Sequence, residues 1–242
     1  MGFQDRDYVN SRLSIAQKVS TFSSYVYSWL TAGLSLTAVV AYFLYASGLY
    51  VQTLPFWWVF SLATLGISFF IQAKIESATI TTMGLLMVAY AVCQGLIFGS
   101  ILPVFAIQYG GDIIWVAFAS SAAIFATAAL YGRFTKSDLT QIAKLLNFGV
   151  IALLVLTLLF FVASFFMKLT WANLLLSYVG LAIFTGLIIT DSNQIQQMSR
   201  ECDTRDASVV KYSLIMALRM YINVIMVFWY LLQILSSNRD SR

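Results

Sequence analysis

Seven predominantly apolar stretches limit what this chain can fold into more than any other feature of it. They are Tyr25–Ala46, Pro55–Ala73, Met83–Leu102, Ile113–Tyr131, Phe148–Met167, Trp171–Asp191 and Leu214–Leu235. About 20 such residues is the length a helix needs to cross ~30 Å of hydrocarbon. Together they fill more than half of the 242 residues and leave no room for a separate soluble domain. Only 10% of the chain is charged, where a soluble domain carries about a quarter. A membrane β-barrel needs strands that alternate polar and apolar residues, and a run such as "FGVIALLVLTLLFFVASFF" does not alternate. Helices satisfy every backbone polar group within one apolar segment. The expected fold is therefore an all-α membrane protein with seven transmembrane helices. Residues 1–24 are expected as a cytoplasmic N-terminal tail, 25–235 as a single seven-helix domain and 236–242 as a short C-terminal tail.

The two prolines fit this division, with Pro55 opening the second segment and Pro103 just past the third, where neither removes an internal helix hydrogen bond. The first segment exceeds a signal-peptide core and has no small-residue cleavage site after it, so it is expected to be retained. Cys93 falls inside the third segment and Cys202 in the loop after the sixth, which argues against a disulfide between them. With no histidine in the chain, two cysteines do not make a structural zinc site either.

Lysine and arginine mark one side of the membrane. Arg6, Arg12 and Lys18 precede the first segment, and Lys74 follows the second. Arg133, Lys136 and Lys144 follow the fourth, and Arg200, Arg205 and Lys211 follow the sixth. The first and third connections have none, and the fifth has only Lys168. The positive-inside rule then predicts a cytoplasmic N-terminus. Seven spans carry Arg239 and Arg242 to the far side, against that rule, whereas a last segment that turned back would keep them inside. The net charge of +4 reflects this topology, and no basic groove with interleaved aromatics points to nucleic acid.

Small residues mark two places for close helix contact: Gly95-Leu-Ile-Phe-Gly99 in the third segment and "VAFASSAAIFATAAL" in the fourth. Backbones approach closely at such residues in lipid. A polar path along Ser120, Ser121 and Thr127 is the other reading. In "GRFTKSDLTQIAKLL", Thr135 with Asp138 three residues on has the form of a capping box that starts the next helix, and Ser137 is a second candidate cap.

Enzyme chemistry finds little to work with. The absence of histidine excludes a zinc-protease motif and a Ser–His dyad. An aspartyl protease needs two carboxylates close enough to share a proton, and Asp191 alone lies within an apolar segment. An enzyme is not expected. What remains is "GLIITDSNQI", in which Asp191 closes the sixth segment, and the seventh segment with Arg219 and Asn223. Those two lie one turn apart on one helix face, about 6 Å along the axis. The two segments are consecutive, so all three groups fall toward the same side of the membrane. Either Asp191 is a helix end with Arg219 snorkelling to the headgroups, or the carboxylate is enclosed and held by Arg219, Asn223 or both.

"LIITDSNQI", followed by "MALRMYINVIMVFWYLLQIL" in the next segment, resembles the closing signature of the Bax inhibitor-1 family, the transmembrane Bax inhibitor motif proteins. "GRFTKSDLT" resembles the family's Thr-Lys-x-Asp-Leu-Ser stretch, and "QGLIFGSIL" its Gly-rich third helix. The resemblance runs from about Tyr25 to Leu235 and implies six helices surrounding a central seventh. It also implies a paired-aspartate site on the sixth and seventh helices. Members with both aspartates are described as pH-sensitive calcium leak channels closed from the cytoplasmic side. Asp191 matches the first aspartate, whereas the second falls on Asn223, and Arg219 stands one turn earlier. Lys74 is a loose match to the family's basic residue near the end of the second helix.

That departure has physical consequences. Two touching carboxylates share a proton and titrate near neutrality; a carboxylate beside an amide does not. Calcium wants six to eight oxygens, and a single carboxylate neutralised by Arg219 is a poor start. The resemblance thus implies a calcium leak channel with a modified site at Asp191, Asn223 and Arg219, with calcium as the transported ion and no resident cofactor. The other reading it supports is a non-conducting regulator. Bacterial members include inner-membrane proteins that restrain a membrane-bound AAA protease, and eukaryotic members restrain cell death. The short tails suit a bacterial inner membrane.

Overall fold

The computed structural model describes residues 3–74, 79–135, 137–163, 170–201 and 207–240. Every regular element among them is helical: α1 (Phe3–Ala46), α2 (Tyr50–Thr53), a 3-10 turn (Leu54–Phe56), α3 (Trp57–Lys74), α4 (Ile80–Tyr109), α5 (Asp112–Phe134), α6 (Thr140–Ala163), α7 (Thr170–Glu201) and α8 (Ala207–Asp240). Seven helical stretches are long and apolar enough to cross a membrane, α2, the turn and α3 supplying the second as Tyr50–Phe70. The expected all-α, seven-span fold is what the chain adopts. Burial is uneven: 67% of the most apolar window of the last span is enclosed, against 6% of the second and 11% of the fifth. Exposed apolar side chains such as Phe148, Leu145 and Leu159 on α6 suit a helix that meets lipid. Cys202, Lys136, Lys168, Arg205 and Arg242 lie outside the described residues.

The helices extend beyond the apolar runs, which corrects two expectations. Pro103 lies inside α4, not past its end, so its missing N–H removes the bond to the Gly99 carbonyl. A membrane helix tolerates this where neighbours re-satisfy the freed group. Asp191 does not close its helix, since α7 continues to Glu201. Hydropathy reports where the apolar solvent ends, and a helix enclosed by other helices has no reason to stop there.

The chain divides into two compact units, one of residues up to Ile101 with Gln194–Arg219, the other of Leu102–Asn193 with the chain from Met220. In the first unit, α4 lies hard against α1 at the two glycines of the GxxxG. A Cβ at Gly95 would fall 2.7 Å from the Val40 Cβ and 2.9 Å from the Thr37 carbonyl, and one at Gly99 would fall 2.9 Å from the Leu44 Cβ. Thr37 Oγ1 adds a bond to the Ala91 carbonyl at 3.1 Å. Close packing is thus the use of this motif.

The second unit has a core of Ala128, Leu153, Phe184, Ile188, Val227 and Tyr230, drawn from α5, α6, α7 and α8. The ring of Tyr230 fills the notch left by Gly180, where any side chain would collide with it. Farther along the same pair of helices, Ser177 Oγ donates to Gln233 Oε1 at 2.8 Å. On α5, Ser121 Oγ donates to its own helix at Phe118, and Thr127, which is exposed, donates to Ala123 and Ile124.

At the end of α8, Arg239 grips the α4–α5 turn. Its guanidinium pairs with both carboxylate oxygens of Asp112, at 3.0 Å to Oδ1, and donates to the Tyr109 carbonyl that ends α4. Gly110 (φ 91°) makes the turn, and a Cβ there would meet both Asp112 Oδ1 and Arg239 Nη1. The end of α8 therefore sits with the third connection, which carries no lysine or arginine, and the arginine that broke the charge rule is matched by a carboxylate. α8 runs unbroken for 34 residues, about 50 Å, and offers no turn at which the chain could double back.

The charge bias and the unbroken last helix together predict opposite sides for the two termini. In a chain with Cys93 and Cys202 replaced by serine, a cysteine added at the C-terminus should react with a membrane-impermeant maleimide only from the non-cytoplasmic face. One added at the N-terminus should react only from the cytoplasm. A C-terminal cysteine reached from the cytoplasm would put both termini on one side and overturn this topology.

Candidate functional site

Four consecutive residues of α7 carry polar side chains, and all four are buried. Thr190, Asp191 and Ser192 are each 1% exposed and Asn193 5%. Consecutive helical residues point about 100° apart, so burial of all four means that α7 is enclosed on every side at this level. This answers the question raised by "GLIITDSNQI": Asp191 is an interior residue within a helix, and a wet helix end is excluded.

A partner of Asp191 comes from α8. Asn223, 5% exposed, donates from Nδ2 to Asp191 Oδ2 at 2.8 Å. Both belong to the second unit. A carboxylate inside a low-dielectric core is tolerable only with such a donor, and hydrogen bonds to charged groups are among the stronger ones. Arg219 sits one turn earlier on α8, half-buried, and its Nη1 donates to Gln194 Oε1 at a long 3.3 Å. Both of those residues belong to the first unit. The side chain of Lys74 lies outside the described residues.

Asn193 ties the α5 end to α7. Its Nδ2 donates to the Gly132 carbonyl at 3.3 Å and to the Thr135 carbonyl at 3.2 Å, two of the carbonyls a helix leaves unserved at its C-terminus. Gly132 makes the approach possible, because a Cβ there would press on the Ile189 carbonyl and fall 2.9 Å from the Ser192 Cβ. The expected capping box is corrected here. Thr135 is the extended residue that ends α5, its N–H bonded to Tyr131 O at 3.0 Å. Asp138 serves the start of α6, accepting the Thr140 N–H at 2.9 Å. The side-chain bond from Thr140, backed by its backbone N–H, holds the exposed Asp138 carboxyl below its ordinary range. Asp and Thr are both good caps, and only the place where α5 stops decides which serves.

Sequence reasoning singled out Asp191, Asn223 and Arg219 but not Asn193 or Gly132. The run "DSN" is a polar cluster in which any member is a candidate. Nothing local says that the third residue reaches across to another helix. Chemically, the site offers one carboxylate oxygen bonded to an amide that donates without titrating. Among the described residues no three His, Cys, Asp or Glu side chains converge.

This arrangement can be set beside known proteins. Residues 19–240 match the family described as inhibitor of apoptosis-promoting Bax1. The chain is 48% identical to a protein of Chlamydia muridarum over the full length of both. It is 33% identical to the inner membrane protein YbhL of Escherichia coli, over 91% of this chain and 93% of YbhL. A protein of Deinococcus radiodurans is 30% identical over 92% and 93% of the two chains. With a family match over nearly the whole chain, seven spans and a buried aspartate on the sixth, this multi-pass membrane protein belongs to the Bax inhibitor-1 family.

Proposed function

We propose that this protein provides a cation leak pathway, with calcium as the ion, and that Asp191 and Asn223 form its gate. The supporting observation is a carboxylate 1% exposed inside a membrane helix and bonded across to the last helix at 2.8 Å. Ionisable groups are costly in membrane segments and concentrate on ion pathways. Closed, the amide bond holds α7 to α8; open, the freed carboxylate offers a permeating cation its charge. The family resemblance supports calcium, and likeness to YbhL supports a bacterial inner membrane. The charge bias supports a cytoplasmic N-terminus. No catalytic step is part of this reading.

Purified protein in liposomes loaded with a calcium indicator tests it. Wild type should admit calcium above protein-free vesicles, and Asp191→Asn should lower the flux several-fold. A wild-type flux equal to that of empty vesicles would overturn the reading.

One observation favours a second reading, a non-conducting regulator that binds a membrane-bound AAA protease or another membrane partner. Asn223 donates to Asp191 whatever the pH, so the contact can stay shut without a proton. Co-purification of such a protease from native membranes, together with silent liposomes, would select this alternative.

A further inference from the structure

Buried polar groups are nearly always bonded, and three of the four residues in the polar run of α7 follow that rule. Thr190 Oγ1 donates back to Leu187 O at 3.1 Å, Asp191 accepts from Asn223, and Asn193 reaches the end of α5. Ser192 is the exception: 1% exposed, its hydroxyl has no hydrogen-bond partner among the described residues. The usual escape for a helical serine is a bond to a carbonyl one turn back. Ser199, Ser213 and Ser236 on the same two helices all take it, at 2.8–2.9 Å.

The surroundings of Ser192 indicate what it serves. Its side chain lies against Gly132 in the last turn of α5, where terminal carbonyls lack helical donors and carry the negative end of the helix dipole. Asn193 serves two of them at 3.3 and 3.2 Å, leaving each a second lone pair. An unused hydroxyl and under-used carbonyls thus share one seam, and a water molecule satisfies both kinds at once. A bound cation fits the seam less well. Arg133 is in the same turn, and Asp138, the carboxylate of this connection, is exposed and committed to Thr140.

We propose that Ser192 and the terminal carbonyls of α5, those of Gly132 and Thr135, hold a buried water, and that the α5–α7 seam admits water to the level of Asp191. The outer end of this seam is open, with Thr135 half-buried and Ser137 and Asp138 exposed. The inner end is the residue next to Asp191. This deepens the gate reading by naming how the gate is hydrated, and its test measures water access, not flux, so the two fail separately.

The test uses silver ion, which travels only through water and captures thiolates. In the full-length chain with Cys93→Ser and Cys202→Ser, reconstituted in vesicles, Ser192→Cys is treated with silver. The thiols left are then counted with a maleimide after denaturation. Ile188→Cys, one turn deeper and 0% exposed in the apolar core, is the dry control. Ser192→Cys should be captured on the order of tenfold faster than the control. Equal rates in a folded protein would overturn the proposal. Should the cysteine variant fail to fold, Ser192→Ala decides. Loss of a water-bonded hydroxyl should lower the melting temperature by about 2–4 °C. A melting temperature unchanged or raised would mean a dry hydroxyl and no site.

Discussion

Gly132→Val should cost this protein about 3 kcal/mol or more, the largest loss expected of any single change considered. In a detergent melt that amounts to a fall of roughly 6–12 °C. The reason lies in what the new Cβ would meet. On one side is the Ile189 backbone carbonyl, on the other the Ser192 Cβ at 2.9 Å. A flexible side-chain tip can step aside, but a carbonyl inside a helix cannot. α5 would have to withdraw from α7, breaking both bonds from Asn193 to Gly132 and Thr135. The branched side chain makes relief by rotation harder still. Gly84→Ala and Gly66→Ala are the matched controls. Nothing lies within 4 Å of a Cβ at either position, so both should melt close to wild type. If Gly132→Val melted with these controls, the α5–α7 contact would not be as tight as described.

Asn223→Asp should give this protein a steep pH response of calcium flux that wild type lacks between about pH 6 and 8. In wild type, the group opposite Asp191 at 2.8 Å is an amide, which binds no proton in that range. In the variant, two carboxylates meet at that distance inside the core, where two like charges side by side are so costly that the pair keeps one shared proton. That proton is part of the contact, which is present while it is bound and lost as rising pH removes it. The shared proton would therefore hold α7 to α8 in acid and release them toward alkaline pH, so flux should rise with pH. Arg219 stands one turn earlier on the same helix, and a cation at that spacing would favour an ionised carboxylate at position 223 and flatten the response. The double variant with Arg219→Ser should accordingly be the steeper of the two. Liposome flux measured across this range for wild type and both variants checks the argument. A steep response already present in wild type would mean that a second carboxylate is not what makes this site titrate.

The site residues were unequally legible in the sequence. Asp191 and Asn223 stood out because polar groups are rare in apolar runs, and rarity survives without knowledge of the fold. Their distance did not stand out, nor did the choice between a buried carboxylate and a wet helix end. The polar residues after Asp191 look like an exit from the membrane by composition alone. Thr135 and Asp138 show the same limit on a smaller scale. Both have capping chemistry, and the end of α5 assigned the role. Asn193 left no readable signal, because its targets, the Gly132 and Thr135 carbonyls, belong to another helix.

The sequence by itself determined the medium, the helical class, the number of crossings and the family, and the reason is the solvent. Hydrocarbon permits few charges and no unpaired backbone, so the lengths of the apolar runs and the spacing of lysine and arginine carry that information locally. Only the tertiary structure decided that α7 runs on past Asp191, that Pro103 sits inside a helix, that Arg239 is matched by Asp112 and that Ser192 faces the end of α5. Each of these depends on which groups distant in the chain come within a few ångströms of one another. Hydrogen bonds and steric contact act only at that range, and a one-dimensional pattern does not contain it.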